Sequence, residues 1–188
     1  MLASTSRYRK ELLARLGLPF ETDAPGVDEC AAADEPAATL VRRLSIAKAL
    51  AVAPRHPHAL IVGSDQAAVY DGLRVGKPDG LDAAAAQLRR ISGKTAVLYT
   101  GIALLDTDSG RIQADVVPFH VVFRVLTDAQ IDRYLEREQP FDCAGSVKSE
   151  GLGIALFERF DGSDPTALIG LPLIRLVAML EDAGVAVV

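Results

Sequence analysis

The stretch Thr95 to Leu126, TAVLYTGIALLDTDSGRIQADVVPFHVVFRVL, decides the fold class. Residues 95 to 105 and 111 to 126 are rich in β-branched and aromatic side chains, which suit a pleated surface, and the DTDSG between them carries the Asp, Ser and Gly of a tight reversal. The stretch therefore reads as a long β-hairpin. Hairpin partners run antiparallel, so a purely parallel sheet is excluded and a mixed one is expected.

Upstream of the hairpin, residues 82 to 91 read as a short helix. Before it, ALIV (59 to 62) is an apolar run entering GSD, AAVY follows, and Asp71-Gly72 signals a turn, so this part reads as strand, loop, strand. A helix is expected from Pro36 to Pro54, with Leu40, Val41, Leu44, Ala47 and Ala51 as its apolar stripe. Residues 20 to 34 read as loop, and the first helix is capped by Ser6, buries Leu12, Leu13 and Leu16, and stops at Gly17. Downstream, Asp128 caps a helix carrying Ile131, Tyr134 and Leu135. The irregular QPFDCAGSVKSEGLG leads to a strand at IALFERF, and Asp164-Pro165 opens a last helix that Gly184 closes. Interspersed elements of this kind imply an α/β or α+β fold with a mixed sheet. With no repeat, low-complexity tract or long Gly/Ser linker, residues 1 to 188 are expected to form one domain.

Nearly half of the 188 residues are hydrophobic, enough to bury a real core, while the net charge of -5 argues against broad binding to nucleic acid or anionic membranes. Any anion must meet a local basic cluster. Cys30 and Cys143, far apart in sequence, supply neither a disulfide framework nor the paired spacing of a zinc site and read as reduced thiols. MLASTSRYRKELL has no apolar run with a cleavage site, and no stretch reaches membrane-spanning length, so a cytosolic protein is expected.

Several residues look chemical. Arg7, Arg9 and Lys10 fall in the first turn of a helix, where the macrodipole disfavours cations. Local sequence leaves open a solvated basic face, or a phosphate cradle built with Ser4, Ser6 and the free helix amides. Lys48 lies within an apolar stripe and needs either a path to water or an anionic partner. Asp65 follows an apolar strand and a glycine, where a rigid strand end would present its carboxylate into a loop; it is the leading catalytic candidate, against a turn-forming Asp. Other acidic and basic residues at loop and strand ends are Glu29, Lys77 in VGKPDG, and Lys148 and Glu150 in SVKSEG. If SVKSE is extended, Ser146, Lys148 and Glu150 point to one side. GLG at 151 to 153 lacks the setting of a dinucleotide fingerprint, and no GxxxxGK[ST] loop occurs. His56 and His58 read as residues of an exposed loop, and His120 as a packed strand residue.

The ordered set LASTSRYRKELL, VDE with EP, AKA, GSDQ, GKP, SGK, the TG of YTGIAL, KSEGLG and ALIGLPLI resembles the Maf family of nucleotide pyrophosphatases over essentially the whole chain. GSDQ together with KSEGLG resembles the branch acting on 7-methyl-GTP rather than the branch acting on dTTP and UTP. The resemblance implies a mixed α/β fold, an elongated central sheet flanked by helices in two lobes with a cleft. It also implies a divalent cation such as Mg²⁺, Mn²⁺ or Co²⁺, a nucleotide as partner and often a homodimer. By the same resemblance Asp65 is the general base, with a role at the metal shared by Glu29. Ser4, Arg9, Lys48 and Lys77 handle phosphate, to which the residue reading adds Lys148, and Tyr8, Gln66 and Glu150 discriminate the base. One departure is Arg7, where family members commonly carry proline; it would alter how the helix begins or add a phosphate contact. Alternatives are a Maf-type pyrophosphatase for another base, or a nucleotide-binding regulator of cell division that senses its ligand without turning it over.

Overall fold

The expected hairpin is present. In a computed structural model that describes residues 1–141 and 143–188, strands β5 (Thr95–Asp106) and β6 (Ile112–Phe123) are neighbours. The Asp106 N–H donates to Arg111 O and the Gly110 N–H to Asp106 O, closing the turn between them. Asp142, within the stretch read as irregular, lies outside the described residues. The other elements are β1 (Leu2–Ala3), α1 (Arg7–Ala14), β2 (Thr22–Asp23), α2 (Ala37–Val52), β3 (Leu60–Tyr70), β4 (Leu73–Val75), α3 (Leu81–Ile91), α4 (Asp128–Glu138), β7 (Phe157–Asp161) and α5 (Leu173–Asp182). Strand order is β2-β1-β3-β5-β6-β7, with β4 also on β3. β1 runs parallel to β2 and β3, whereas β3–β4 and β6–β7 are antiparallel, so the sheet is mixed and the fold α/β. No described helix is long and apolar enough to cross a membrane.

The chain forms two compact units. The first comprises Met1–Gln66, Tyr99–Val117 and Ser163–Val188, the second Ala67–Leu98 and Pro118–Gly162. In the first unit the period-2 alternation of β3 sorts side chains to two layers. Ile61 packs with Ala49 and Val52 of α2, while Val62 packs with Leu12 and Leu13 of α1 and with Leu176 and Met179 of α5. Each Leu or Ile fully buried this way contributes roughly 1.5–3 kcal/mol. Helix α2 lies very close to the sheet, because a Cβ on Gly63 would stand 2.1 Å from the Ser45 carbonyl oxygen and one on Gly101 would stand 2.3 Å from that of Val41. Two strand glycines thus admit the backbone of α2.

In the second unit α3 and α4 pack together, and an aromatic cluster ties β6 to β7. Phe119–Phe160, Phe123–Phe157 and Phe157–Phe160 lie at centroid separations of 5.7, 5.1 and 5.1 Å in tilted or edge-on arrangements. Asp71 and Gly72 both have positive φ, 49° and 72°, as a two-residue hairpin turn from β3 to β4 requires.

Several local expectations are corrected. Residues 60–70 are one continuous strand, so Asp65 sits mid-strand and not in a loop; β1 pairs with it at Val62 and Gly63, β4 at Ala68 to Tyr70, and β5 is its next neighbour in the sheet. The buried stripe of α2 runs through Ser45, Lys48, Ala49 and Val52, with Ala47 and Ala51 only half-buried. The segment 20–34 contains the short strand β2. Thr127, not Asp128, caps α4, in a reciprocal capping box with Gln130. Asp164-Pro165 opens a 3₁₀ turn over Pro165–Ile169, and α5 begins separately after Pro172. IALFERF opens as 3₁₀ and becomes strand only at Phe157. His120 is on β6 but faces outward.

Candidate active site

In the first unit the residues singled out near the N-terminus come together. Lys48 is placed by α2 with its side chain 5% exposed, and its Nζ lies 2.6 Å from Asp65 Oδ1 and 2.6 Å from Glu29 Oε1. Asp65 shares the α2-facing side of β3 with Ile61 and Gly63, so the glycine that lets the helix approach also brings the lysine to the carboxylate. The Glu29 side chain is 61% exposed, so the pair is buried at one end and open at the other. Ser4, buried directly after β1, accepts the Ser6 N–H at Oγ, and Ser6 in turn caps α1 by accepting from Arg9 N.

Arg9 reaches from α1 to donate Nε to Gly170 O at 2.9 Å. Burial pulls its guanidinium pKa down, and the charges of Asp65 and Glu29 push it back up. Ser4, Arg9, Glu29, Lys48 and Asp65 therefore combine two cations with two carboxylates beside a helix N-terminus. Both carboxylates meet the same ammonium, so their oxygens lie no further apart than twice that contact. A divalent cation that takes its remaining ligands from phosphate and water fits this hard-oxygen pair. It is no all-protein cage: among the described residues no group of three or more His, Cys, Asp or Glu could hold a metal.

Gln66 follows Asp65 and so points to the opposite face of the sheet. Its Nε2, with two N–H groups to donate, lies 2.7 Å from Ala167 O, 3.0 Å from Thr100 Oγ1 and 3.2 Å from Leu168 O. Tyr8 is half-buried, with the Arg7 guanidinium 5.5 Å from its ring centroid. Arg7 occupies the first position of α1, where a proline would also fit, and its Nε pairs with Glu11 at 3.2 Å. The departure at position 7 leaves the helix start intact.

In the second unit Lys77 is exposed, just beyond β4. The preceding carbonyl, Gly76 O, accepts from Gly145 N and from Gln87 Nε2. The extended reading of SVKSE fails. Ser146 takes φ 60° in a 3₁₀ turn and donates to Gln87 Oε1 at 2.6 Å, Lys148 Nζ pairs with Glu138 Oε1 at 3.0 Å, and Glu150 lies exposed beside Ser149, so the three do not share a strand face. Glu138 also accepts Leu152 N at 2.6 Å, and this bond, with Lys148 second, holds its carboxyl below the usual range. Tyr134 Oη accepts Lys148 N, closing the frame around this loop.

His56 pairs with Asp23 and His58 with Asp108, and neither Cys30 nor Cys143 is in a disulfide. Ser64, Thr100, Glu138 and the turn at 164–170 also hold Arg9, Gln66 and Lys148 in place. Asp164-Pro165-Thr166 carries a capping signal, but nothing local to Ser64, Thr100 or Glu138 announces a partner more than ten residues away.

The model of the family described as Maf-like protein matches residues 1–183. The chain is 54% identical over 187 residues to a 7-methyl-GTP pyrophosphatase of Pseudomonas aeruginosa, covering 100% of this chain and 97% of that protein. It is 54% identical over 186 residues to one of a Polaromonas species, covering 99% and 85%, and 54% identical over 184 residues to one of Nitrosococcus oceani, covering 98% and 92%. A match that runs through the whole ordered set of motifs, from the first strand into the last helix, has one meaning: this chain belongs to the Maf family.

Proposed function

We propose that the protein is a nucleoside triphosphate pyrophosphatase that hydrolyses 7-methyl-GTP to 7-methyl-GMP and diphosphate, removing a modified nucleotide from the pool. The observation that carries the reading is Lys48 held 2.6 Å from both Asp65 and Glu29, with Arg9 beside them, within a chain 54% identical over its full length to proteins named for that reaction. Asp65 takes a proton from water as the water oxygen bonds to the α-phosphorus, the bond from that phosphorus to the bridging oxygen breaks, and diphosphate leaves. Arg9 and Lys48 bind and orient the phosphates and stabilise the charge that builds on their oxygens. Glu29 and Asp65 would hold a divalent cation, which when bound adds charge neutralisation at the phosphates. From the second unit, we assign phosphate contacts to Lys77 and Lys148 and recognition of the guanine edge to Glu150.

The base preference follows from charge. Methylation at N7 makes guanine cationic, and an aromatic face attracts a cation. Tyr8 offers such a face, and its ring has the Arg7 guanidinium near it. A carboxylate at Glu150 can accept two hydrogen bonds from the guanine edge. The test is a panel of nucleotides incubated with Mg²⁺ or Mn²⁺ and assayed for diphosphate. Turnover greatest for 7-methyl-GTP, with Tyr8→Ala and Glu150→Gln narrowing its lead over GTP at unchanged thermal stability, is expected. A lead for dTTP or UTP would move the substrate to another base, and binding without diphosphate release would make the protein a sensor.

A further inference from the structure

One turn in the first unit gathers side chains from three other elements onto its backbone. Gly170 O accepts Arg9 Nε at 2.9 Å and lies 2.9 Å from Ser64 Oγ. Ala167 O accepts Gln66 Nε2 at 2.7 Å and Thr100 Oγ1 at 2.8 Å, and Leu168 O accepts Gln66 Nε2 at 3.2 Å. Helix α1 and strands β3 and β5 thus all refer to the carbonyls of 167–170. Gly170 has φ 118°, a conformation that side-chain-bearing residues rarely adopt.

A second set of contacts fixes the turn itself. Asp164 is 2% exposed; its Oδ1 accepts Thr166 N at 3.0 Å and Thr166 Oγ1 at 2.6 Å, and its Oδ2 accepts Ile174 N at 2.8 Å and Arg175 N at 3.4 Å. Thr166 Oγ1 also accepts Leu173 N at 2.7 Å. A buried carboxylate is costly unless fully hydrogen-bonded, and here it caps both the 3₁₀ turn and the first turn of α5, whose amides have no partner within the helix. The pair joins the two elements at a defined spacing.

We propose that Asp164 and Thr166 are positioning residues: by locking the 165–170 turn to the N-terminus of α5 they hold its carbonyls where Arg9 and Gln66 are aimed for nucleotide binding. The inference rests on Arg9 being a phosphate ligand. Neither residue needs to touch the substrate, because a displacement of the turn is passed directly to the Arg9 guanidinium, and small misplacements of positioning groups cost binding and rate steeply.

Thr166→Val keeps the side-chain shape and removes the hydroxyl bridge, while Thr166→Ser keeps the bridge. Thr166→Val should raise KM for 7-methyl-GTP about tenfold with kcat within about twofold, and should weaken binding of inorganic tripolyphosphate, measured by calorimetry without turnover, by a similar factor. Thr166→Ser should restore both. On an Arg9→Ala background the same Thr166→Val change should add less than about twofold, since both act on one contact. Thr166→Ala serves if the valine variant folds poorly. A Thr166→Val protein with lowered melting temperature but unchanged KM and tripolyphosphate affinity overturns the proposal, as do effects of Thr166→Val and Arg9→Ala that multiply, or a wild-type chain that does not bind tripolyphosphate. Failure of the proposed reaction alone shows instead as absent diphosphate release from 7-methyl-GTP with the tripolyphosphate comparison intact.

Discussion

Lys48 shows how a single residue changes meaning once its partners are known. In the sequence it is a lysine in an apolar stripe, equally able to extend to water; in the fold it is buried and bridges Asp65 and Glu29. Removing one member of a buried ion pair leaves the other charge without compensation, which costs about 3–5 kcal/mol, and Asp65 is the member with little access to water. Lys48→Met should therefore lower the unfolding free energy in urea by about 3 kcal/mol, and adding Asp65→Asn to it should restore part of that loss. Asp65→Asn alone keeps the shape of the side chain and removes the base, so diphosphate release should fall at least about 100-fold with the fold retained. Turnover near that of the wild type would remove Asp65 from the catalytic role.

Among the elements, α2 and β3 set the site, and Gly63 sets the distance between them. Its missing Cβ would stand 2.1 Å from a backbone oxygen of α2, an atom that moves only if the helix moves. Gly63→Ala should cost about 3 kcal/mol, at the upper end of overpacking, and should also depress activity because Lys48 shifts with the helix. Gly110→Ala in the β5–β6 turn is the contrast. At φ 71° with nothing within 4 Å it should cost only about 1–2 kcal/mol of backbone strain and leave activity unchanged. Equal losses of activity in the two variants would contradict this account.

For the molecule as a whole, acid is the informative stress. Asp23 is held at about 2, below its ordinary 3.8, chiefly by hydrogen bonds from Arg55 and then His56, and Asp28, Asp71, Asp106 and Glu138 are also lowered. A carboxylate whose folded pKa is depressed contributes stability that is fully present above its unfolded pKa and is lost as pH falls through the folded value. The melting temperature should therefore stay level from pH 7 to about pH 5 and fall below about pH 4. The stability difference between wild type and Asp23→Asn should shrink from about pH 4 to pH 2; a difference independent of pH across that window would refute the assignment. Much was legible in the residues because it depends on near neighbours: the β5–β6 hairpin, the Asp71-Gly72 turn, the Ser6 cap, the mixed α/β class, and the motif order that marks the Maf family. What tertiary structure alone decided is which distant groups meet. Asp65 is mid-strand because β3 runs unbroken from Leu60 to Tyr70 with β1 and β5 as its neighbours in the sheet, SVKSE is not extended because Ser146 turns to Gln87, and Lys148 answers to Glu138. Local pattern records periodicity and caps, which act over a few residues, whereas a buried charge finds its partner across sheets and loops, where the spacing in sequence carries no information.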